Sequence, residues 1–343
     1  MDAITTALVG FGISGQCFQA PILQNSKEID LVAVVSSDSD KVLQQLPNVS
    51  VFASLESLLE NDTAELIIIA TPNHLHFPLC KLALEAGRHV VVEKPFVIDS
   101  KEGQQLINLS EKYDKKLSVY QSRRFDGDFL TIKKVFNEGT LGKIHTFYSS
   151  YNRYRPLVKV RWREQDIPGA GILYDLGAHL IDQALDLFGK PLSITATLRK
   201  QRQNAQTVDH FHLLLTYDQC DVILHSNCLS TAEGARFQIF GDKGSFIKQG
   251  MDPQEEFLRE KQGPLSCNWG KDCIDNYAVI TDHEGVTTSI TTEQGGYEKF
   301  YQQLALAIRN NAPLPVSAEQ ALDVIKVIEA AYLSQQQQRT IFF

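Results

Sequence analysis

The beginning of the chain constrains its fold more than any other segment. Ile4 to Val9 reads as a buried strand and runs directly into Gly10-Phe11-Gly12-Ile13-Ser14-Gly15, after which Ser14 to Leu23 can start a helix. A Gly-x-Gly-x-x-Gly run is informative only between a strand and a helix, which is where this one stands. There the first glycine permits a tight turn, the second lets backbone approach a pyrophosphate, and the third allows close packing of helix on strand. The helix N-terminus, with its free N–H groups and positive dipole end, favours the anion. Gly10, Phe11, Gly12, Ile13, Ser14 and Gly15 are therefore predicted to hold a dinucleotide.

Alternating units follow. The second strand, Leu31 to Val35, ends in Ser36-Ser37-Asp38, where a site specific for NAD offers a carboxylate to the ribose 2′-hydroxyl. Ser36 and Ser37 suit a 2′-phosphate instead, with Lys41 as countercharge, so NADP is expected in preference to NAD, although Asp38 stands only two residues late. A short strand at Val51-Phe52, a helix from Ser54 to Glu60 and the apolar strand Leu66 to Ala70 come next. That strand delivers Thr71-Pro72-Asn73-His74-Leu75-His76 to the sheet edge where such folds bind ligands. Thr71, Pro72, Asn73 and His76 are predicted to line the cofactor cleft; with no acidic or cysteine partner nearby, the two histidines are not read as metal ligands. A helix Phe77 to Ala86, a strand Arg88 to Val92, a helix from Asp99 or Ser100 to near Lys115, and a strand Leu117 to Tyr120 complete the pattern. Near-continuous apolar strands separated by helices imply a doubly wound parallel sheet, a Rossmann domain over residues 1–121. Glu93-Lys94-Pro95 leaves its fifth strand at the sheet's mouth, placing Glu93 and Lys94 against a nicotinamide ribose and Lys94 against a reacting oxygen.

A second chemistry-bearing stretch is Gly169-Ala170-Gly171 followed by a helix through Asp182 and beyond. Leu173, Leu176, Leu180, Ala184 and Leu187 recur at helical spacing, while Asp175, His179, Asp182 and Asp186 form another stripe. Such a stripe is ordinarily a solvated face. Two details oppose that reading. Gly177 inside a helix costs about 1 kcal/mol relative to alanine, so something should approach the backbone there. Asp175 and His179 are four apart, close enough for a carboxylate to orient an imidazole and raise its basicity, as in a general base with its partner.

Composition narrows the partners. A net charge of −8 over 343 residues argues against nucleic acid or an anionic membrane, and no apolar run approaches the ~20 residues of a membrane span. The six cysteines include no C-x-x-C pair and read as free thiols. A cytoplasmic protein of two domains acting on a small molecule is expected.

Taken together, Gly10–Gly15, Thr71-Pro72-Asn73 with His76, Glu93-Lys94-Pro95 and the Gly169–Asp182 segment resemble, in order and spacing over essentially the whole chain, the Gfo/Idh/MocA family of nicotinamide-dependent sugar and polyol oxidoreductases. Gln121 to Asp126, Arg161-Trp162-Arg163-Glu164 and the context of Tyr174 look closest to its NADP-linked scyllo-inositol dehydrogenase subgroup. Gly169-Ala170-Gly171 departs from the family's three glycines by one methyl. The resemblance implies that Lys94, Asp175 and His179 form the catalytic constellation, and that residues 122–343 build a second, α+β domain on an open, mainly antiparallel sheet.

The residues agree independently with that second domain. Ile144 to Arg153, Leu192 to Lys200, Asp209 to Tyr217, Asp221 to Leu229 and Ala235 to Phe240 are strand-like, and Gly241 to Gly244 reads as a hairpin before Ser245 to Lys248. His210 and His212 share a strand face and read as sheet residues. Helices are expected over Tyr297 to Asn310 and Ser317 to Ser334, the last of which may return to the first domain. The loop from Arg153 to Glu164, dense in arginine and aromatics, reads either as ordinary surface or as a lid over a polyhydroxylated ligand; Tyr154, Arg155, Trp162 and Arg163, with Arg123 from the other wall, are candidate substrate residues. The open sheet face favours a homodimer or higher assembly. The expected activity is hydride transfer between NADP or NAD and a cyclic polyol or sugar, without a metal. A sensor that has lost the reaction, or a redox-neutral NAD-dependent glycosidase, are the alternatives.

Overall fold

The computed structural model describes residues 2–61 and 64–343. The chain forms two compact units: Met1–Phe125, Pro253–Gly270 and Gly296–Leu322 make the first, and Asp126–Asp252, Lys271–Gly295 and Asp323–Phe343 the second.

The first unit is a six-stranded parallel sheet of β1 (Ile4–Val9), β2 (Ile29–Val35), β3 (Ser50–Phe52), β4 (Leu66–Ile69), β5 (His89–Glu93) and β6 (Leu117–Tyr120), in the order β3-β2-β1-β4-β5-β6. All four residues of β4, and Val90, Val91 and Val92 of β5, are fully buried. Strands covered on both faces can be apolar throughout, which is why these lack alternation. The chain winds outward from β1 to β3 and then crosses to β4, so the strand order reverses between β1 and β4. Ligands of such sheets bind at the carboxyl ends flanking that reversal. Among the later segments of this unit, the helix Glu298–Asn310 sets Phe300 edge-on to Tyr120 at 4.9 Å and stacks Tyr301 on it at 5.7 Å. Arg309 grips both carboxylate oxygens of Glu65, at 2.6 and 2.8 Å.

The second unit is a nine-stranded mixed sheet. Its strands are β7 (Ile144–Asn152), β8 (Ser193–Arg199), β9 (His210–Thr216), β10 (Asp221–Asn227), β11 (Phe237–Gly241), β12 (Gly244–Lys248), β13 (Ala278–Asp282), β14 (Thr287–Ile290) and β15 (Ile341–Phe342), in the order β14-β13-β12-β11-β7-β10-β9-β8-β15. The β7–β10 pair is parallel and the other pairs are antiparallel. The predicted hairpin joins β11 to β12. One face is a core of Phe147, Phe211, Leu213, Leu224, Phe237 and Phe246, each fully buried. Helices cover it: Phe188 of Ala178–Phe188 meets Phe147 at 5.3 Å and Phe136 of Gly127–Asn137 at 5.7 Å. On the other face His210, His212 and His225 touch, with ring centroids 5.2 and 5.5 Å apart. Partial burial pushes all three imidazoles below their ordinary range, His225 to about 4. His210 and His212 lie on β9, as the sequence suggested, and His225 joins them from β10.

Strands β13, β14 and β15 and the helices Gly127–Asn137 and Gln254–Arg259 are additions to the sequence-based picture. The reasons are local. β14 is Thr-Thr-Ser-Ile with three exposed residues, and β15 is two residues long, so neither shows an apolar period.

Candidate functional site

The first unit builds a glycine-lined cleft. Gly10 has φ +97°, and a Cβ there would lie 2.7 Å from the Ala70 carbonyl oxygen. A Cβ on Gly15 would lie 2.0 Å from the Gly10 carbonyl oxygen, inside van der Waals contact with the backbone. Gly12 is different: nothing stands within 4 Å of a Cβ built there. Two glycines are thus required by the protein's own packing, while the third faces open space where a ligand would press against the backbone. Beside them the hydroxyl oxygen of Thr71 is buried with no hydrogen-bond partner among the described residues. The cleft, about 550 Å³, is bordered by Gly10, Gly12, Ser36, Ser37, Lys41 and Thr71. These features fit a dinucleotide. The helix after the glycines opens with a π-helical stretch, Ser14–Gln19, before the α-helical Ala20–Gln24. Phe11 is buried beneath the turn, and Ile13 is 62% exposed at its mouth.

The end of β2 settles what Asp38 does. Its carboxylate caps the helix Ser39–Gln45, accepting the Lys41 N–H at 3.0 Å, and its own N–H donates to Ser36 Oγ at 3.1 Å. Lys41 Nζ donates to the Phe11 carbonyl at 3.2 Å, which brings a cation back to the glycine turn.

Several residues expected to line the cleft are held by the protein's own hydrogen bonds. His76 is fully buried, with Nδ1 2.8 Å from the Pro95 carbonyl oxygen and Nε2 3.0 Å from that of Thr71. A neutral ring donates to only one of these acceptors, and burial holds its pKa below the ordinary value against the pull of both carbonyls. His76 thereby ties the Pro72–His76 turn to the segment after Lys94. Asn73 is buried in the same turn, and Pro72 precedes it. Glu93 is also buried. Its Oε1 accepts Ser14 Oγ at 2.5 Å and Gln19 Nε2 at 2.7 Å, and its Oε2 accepts the Lys94 N–H at 3.2 Å. Gln19 is held in turn by the Tyr301 hydroxyl. One carboxylate therefore joins the helix of the glycine turn to the strand end that carries Lys94. Arg123 is 4% exposed and its guanidinium donates to Glu255 at 2.6 Å within the same unit.

The second unit carries the other residues. Gly169 and Gly171 have φ of +77° and +93°, whereas Ala170 between them is not in the left-handed region. The one methyl by which this chain departs from three glycines falls where L-residues fit. The chain then makes a π-helical turn, Leu173–Gly177, and continues as the α-helix Ala178–Phe188. Such turns leave the regular ladder and recur at functional sites. Gly177 is closely packed: a Cβ there would come within 2.7 Å of the Leu173 side chain, which would have to shift, and 3.4 Å of the Phe211 ring. The polar stripe is not solvated. His179 is 5% exposed and Asp182 1%, while Asp186 pairs with Lys133 at 2.8 Å. Asp175 keeps some exposure, and its Oδ1 lies 3.8 Å from Arg163 Nε. The Arg163 guanidinium sits 5.0 Å above the Trp162 ring. Tyr154 is 58% exposed and bridges to Leu229; Arg155 is exposed, its N–H bonded to the Cys228 carbonyl at 2.7 Å. Sequence reading missed Gln19, Tyr301 and Arg202, which hold these segments from distant parts of the chain, and nothing local marks them. Among the described residues no cluster of histidine, cysteine or carboxylate side chains could hold a metal ion.

Both halves match known sequences. Residues 4–121 match the NAD-binding Rossmann-fold domain of the Gfo/Idh/MocA oxidoreductase family, and residues 133–342 match its C-terminal alpha/beta domain. The chain belongs to the Gfo/Idh/MocA family. This family member is 42% identical to the scyllo-inositol 2-dehydrogenase (NADP(+)) IolW of Bacillus subtilis, across 99% of this chain and 96% of that protein. It is 41% identical to the oxidoreductase YdgJ of Escherichia coli across 99% of each. Among solved structures, the oxidoreductase yvaA of Bacillus subtilis superposes with a TM-score of 0.96 at 40% identity, covering 100% of this chain and 99% of that one. An oxidoreductase of Klebsiella pneumoniae does so at 0.93 and 38%, covering 100% and 96%. The Gfo/Idh/MocA chain is thus an oxidoreductase with an NAD-binding fold.

Proposed function

We propose that the chain is a dehydrogenase of a cyclic polyol or sugar that interconverts a secondary alcohol and a ketone with NADP in preference to NAD. The observation that carries the cofactor half is the glycine turn, closed at Gly10 and Gly15 and open at Gly12. The likeness to a scyllo-inositol dehydrogenase supports the substrate class. Bound nicotinamide supplies the acceptor for the hydride that leaves the alcohol carbon. His179 takes the hydroxyl proton, Asp175 orients the imidazole, and the Lys94 ammonium stabilises the negative charge that develops on the oxygen. Tyr154, Arg155, Trp162 and Arg163 supply donors and an aromatic face for adjacent hydroxyls and C–H groups.

The preference for NADP rests on Asp38, whose carboxylate is spent on a helix cap, and on Lys41 beside Ser36 and Ser37. A panel of inositols and aldoses assayed with NADP+ and NAD+ by reduced-nicotinamide absorbance tests the reading; no turnover with any member overturns it. Lys41→Ala is expected to lower kcat/KM for NADP+ about 10-fold or more and leave NAD+ nearly unchanged, the loss of one charge-assisted contact to phosphate. A clear preference of the unaltered protein for NAD+ defeats the NADP assignment.

We also propose that the outer sheet face pairs with a second copy of the chain. Leu214, Ile223, Tyr148, Gln238, Ile247 and Val279 stand in register across six strands, β9-β10-β7-β11-β12-β13. A row of this kind is self-complementary under a two-fold axis. Ile247→Asp should convert the assembly to monomer in light scattering, and a monomeric unaltered protein refutes the pairing.

A further inference from the structure

The loop that carries the candidate substrate residues has little of its own to hold it. Leu157 is 79% exposed and Val160 fully so, so neither of these side chains holds the segment by burial. Backbone bonds pin its start, Arg153 N–H to the Asn227 carbonyl at 3.2 Å and Arg155 N–H to Cys228 at 2.7 Å, and its end, Gly171 N–H to the Arg163 carbonyl at 3.0 Å. Between these ends the loop is gripped by one side chain from elsewhere in the same unit. Arg202 is 7% exposed, and its guanidinium spends donors in three directions. NH1 reaches the carbonyls of Arg155 at 3.4 Å and Leu157 at 3.3 Å, NH2 donates to Glu164 Oε2 at 2.5 Å, and Nε donates to Asp209 Oδ2 at 2.9 Å.

The anchor for this grip is rigid. Asp209 also accepts the backbone N–H groups of Gln201 at 2.6 Å and Arg202 at 3.0 Å, which fixes the arginine at its own backbone. Glu164 is shared: its Oε1 accepts Arg161 at 2.8 Å. Burial disfavours its charge, but the hydrogen bonds from Arg202 and Arg161 outweigh burial and hold the carboxyl below its usual range. Glu164 closes the turn Trp162–Glu164, in which Arg163 lies over Trp162 and reaches toward Asp175.

We infer that Arg202 is the positioning residue of the substrate loop, fixing Arg155 through its carbonyl and Trp162 and Arg163 through Glu164 and thereby setting the affinity for the polyol. The inference rests on the proposed dehydrogenase reading for its kinetic consequence only. A planar fork meeting four acceptors at once is work that lysine, a single point donor, cannot reproduce while keeping the charge.

The test pairs kinetics with a signal from the loop itself. The chain has two tryptophans, Trp162 and Trp269, so 5-fluorotryptophan labelling yields two fluorine resonances, and that of Trp162 is assigned by its loss in Trp162→Phe. In Arg202→Lys the Trp162 resonance is expected to shift and change width while that of Trp269 stays, KM for the polyol to rise about 30-fold and KM for NADP+ to change less than about 2-fold, with kcat falling less than KM rises. A folded Arg202→Lys with an unmoved Trp162 resonance and unchanged polyol KM overturns the inference. A folded variant in which both resonances move and both KM values worsen together also overturns it, showing a general structural role. If Arg202→Lys does not fold, Glu164→Gln, which leaves the Arg202–Asp209 pair intact, decides: movement of Trp162 alone supports the inference and stillness refutes it. If the unaltered protein turns over no polyol, the dehydrogenase reading fails, and the Trp162 resonance still judges Arg202.

Discussion

Replacing His179 by alanine is expected to lower kcat by 10²–10⁴, roughly 3–5 kcal/mol of barrier, the usual contribution of a positioned acid–base group. Binding of NADPH should remain near that of the unaltered protein, because the glycine cleft is built wholly from residues of the first unit. His179 follows a π-helical turn and is almost completely buried, which is an expensive place for an imidazole that does nothing. Asp175→Asn should cost less than removing the imidazole, since an amide keeps the shape and loses the charge that favours imidazolium. Lys94→Ala should match His179→Ala in direction, because removing an ammonium takes away charge stabilisation needed only as the oxygen turns negative. Steady-state turnover beside fluorescence titration of NADPH separates these outcomes, and near-normal turnover of both alanine variants refutes the assignment.

Legibility in the sequence follows the range over which each determinant acts. The parallel sheet announces itself because strands such as Leu66–Ile69 are buried on both faces and each sits beside a helix of its own. The odd glycine at 177 signalled a close approach, since a methyl there would come within 2.7 Å of the Leu173 side chain, which would have to shift. The stripe of Asp175, His179, Asp182 and Asp186 defeats amphipathic reasoning, because polarity predicts solvent while His179 and Asp182 are buried. Long-range partners decide the remainder. His76 was placed at the cleft by its position after β4, and the fold sets its two ring nitrogens beside the Pro95 and Thr71 carbonyls, to one of which the neutral ring donates. Arg123 was placed on the cleft's other wall by its position after the last strand of the first domain, and its partner Glu255 stands 132 residues later, out of reach of any local pattern. Asp38, two residues late for a ribose carboxylate, caps the helix it precedes, a role that its position before that helix could have suggested. For His76 and Arg123 residue type foretold that a polar partner was required, and only the fold could name the protein partner, because it is distant in sequence or lies in backbone.

The glycine turn permits a sharper experiment than its motif alone, because the three positions should fail in different ways. Gly12→Ala is expected to leave thermal stability nearly unchanged, as its methyl enters open space, and to weaken NADPH binding by about 10–100-fold, the loss of one strong contact between backbone N–H and a charged oxygen. Gly15→Ala must drive a methyl to within 2.0 Å of the Gly10 carbonyl, so the helix start has to move. Stability should fall by about 1–3 kcal/mol or more, the ordinary cost of overpacking, and cofactor binding should fall with it. Gly10→Ala adds a left-handed backbone to a 2.7 Å approach to Ala70 and should resemble Gly15→Ala. Thermal melts with and without NADPH read both quantities in one series. If Gly12→Ala melts normally and still gains full stabilisation from NADPH, the pyrophosphate does not lie against that turn. The ligand-facing role would then pass from the backbone of Gly12 to the side chains around Thr71 and Lys41, which border the same cleft.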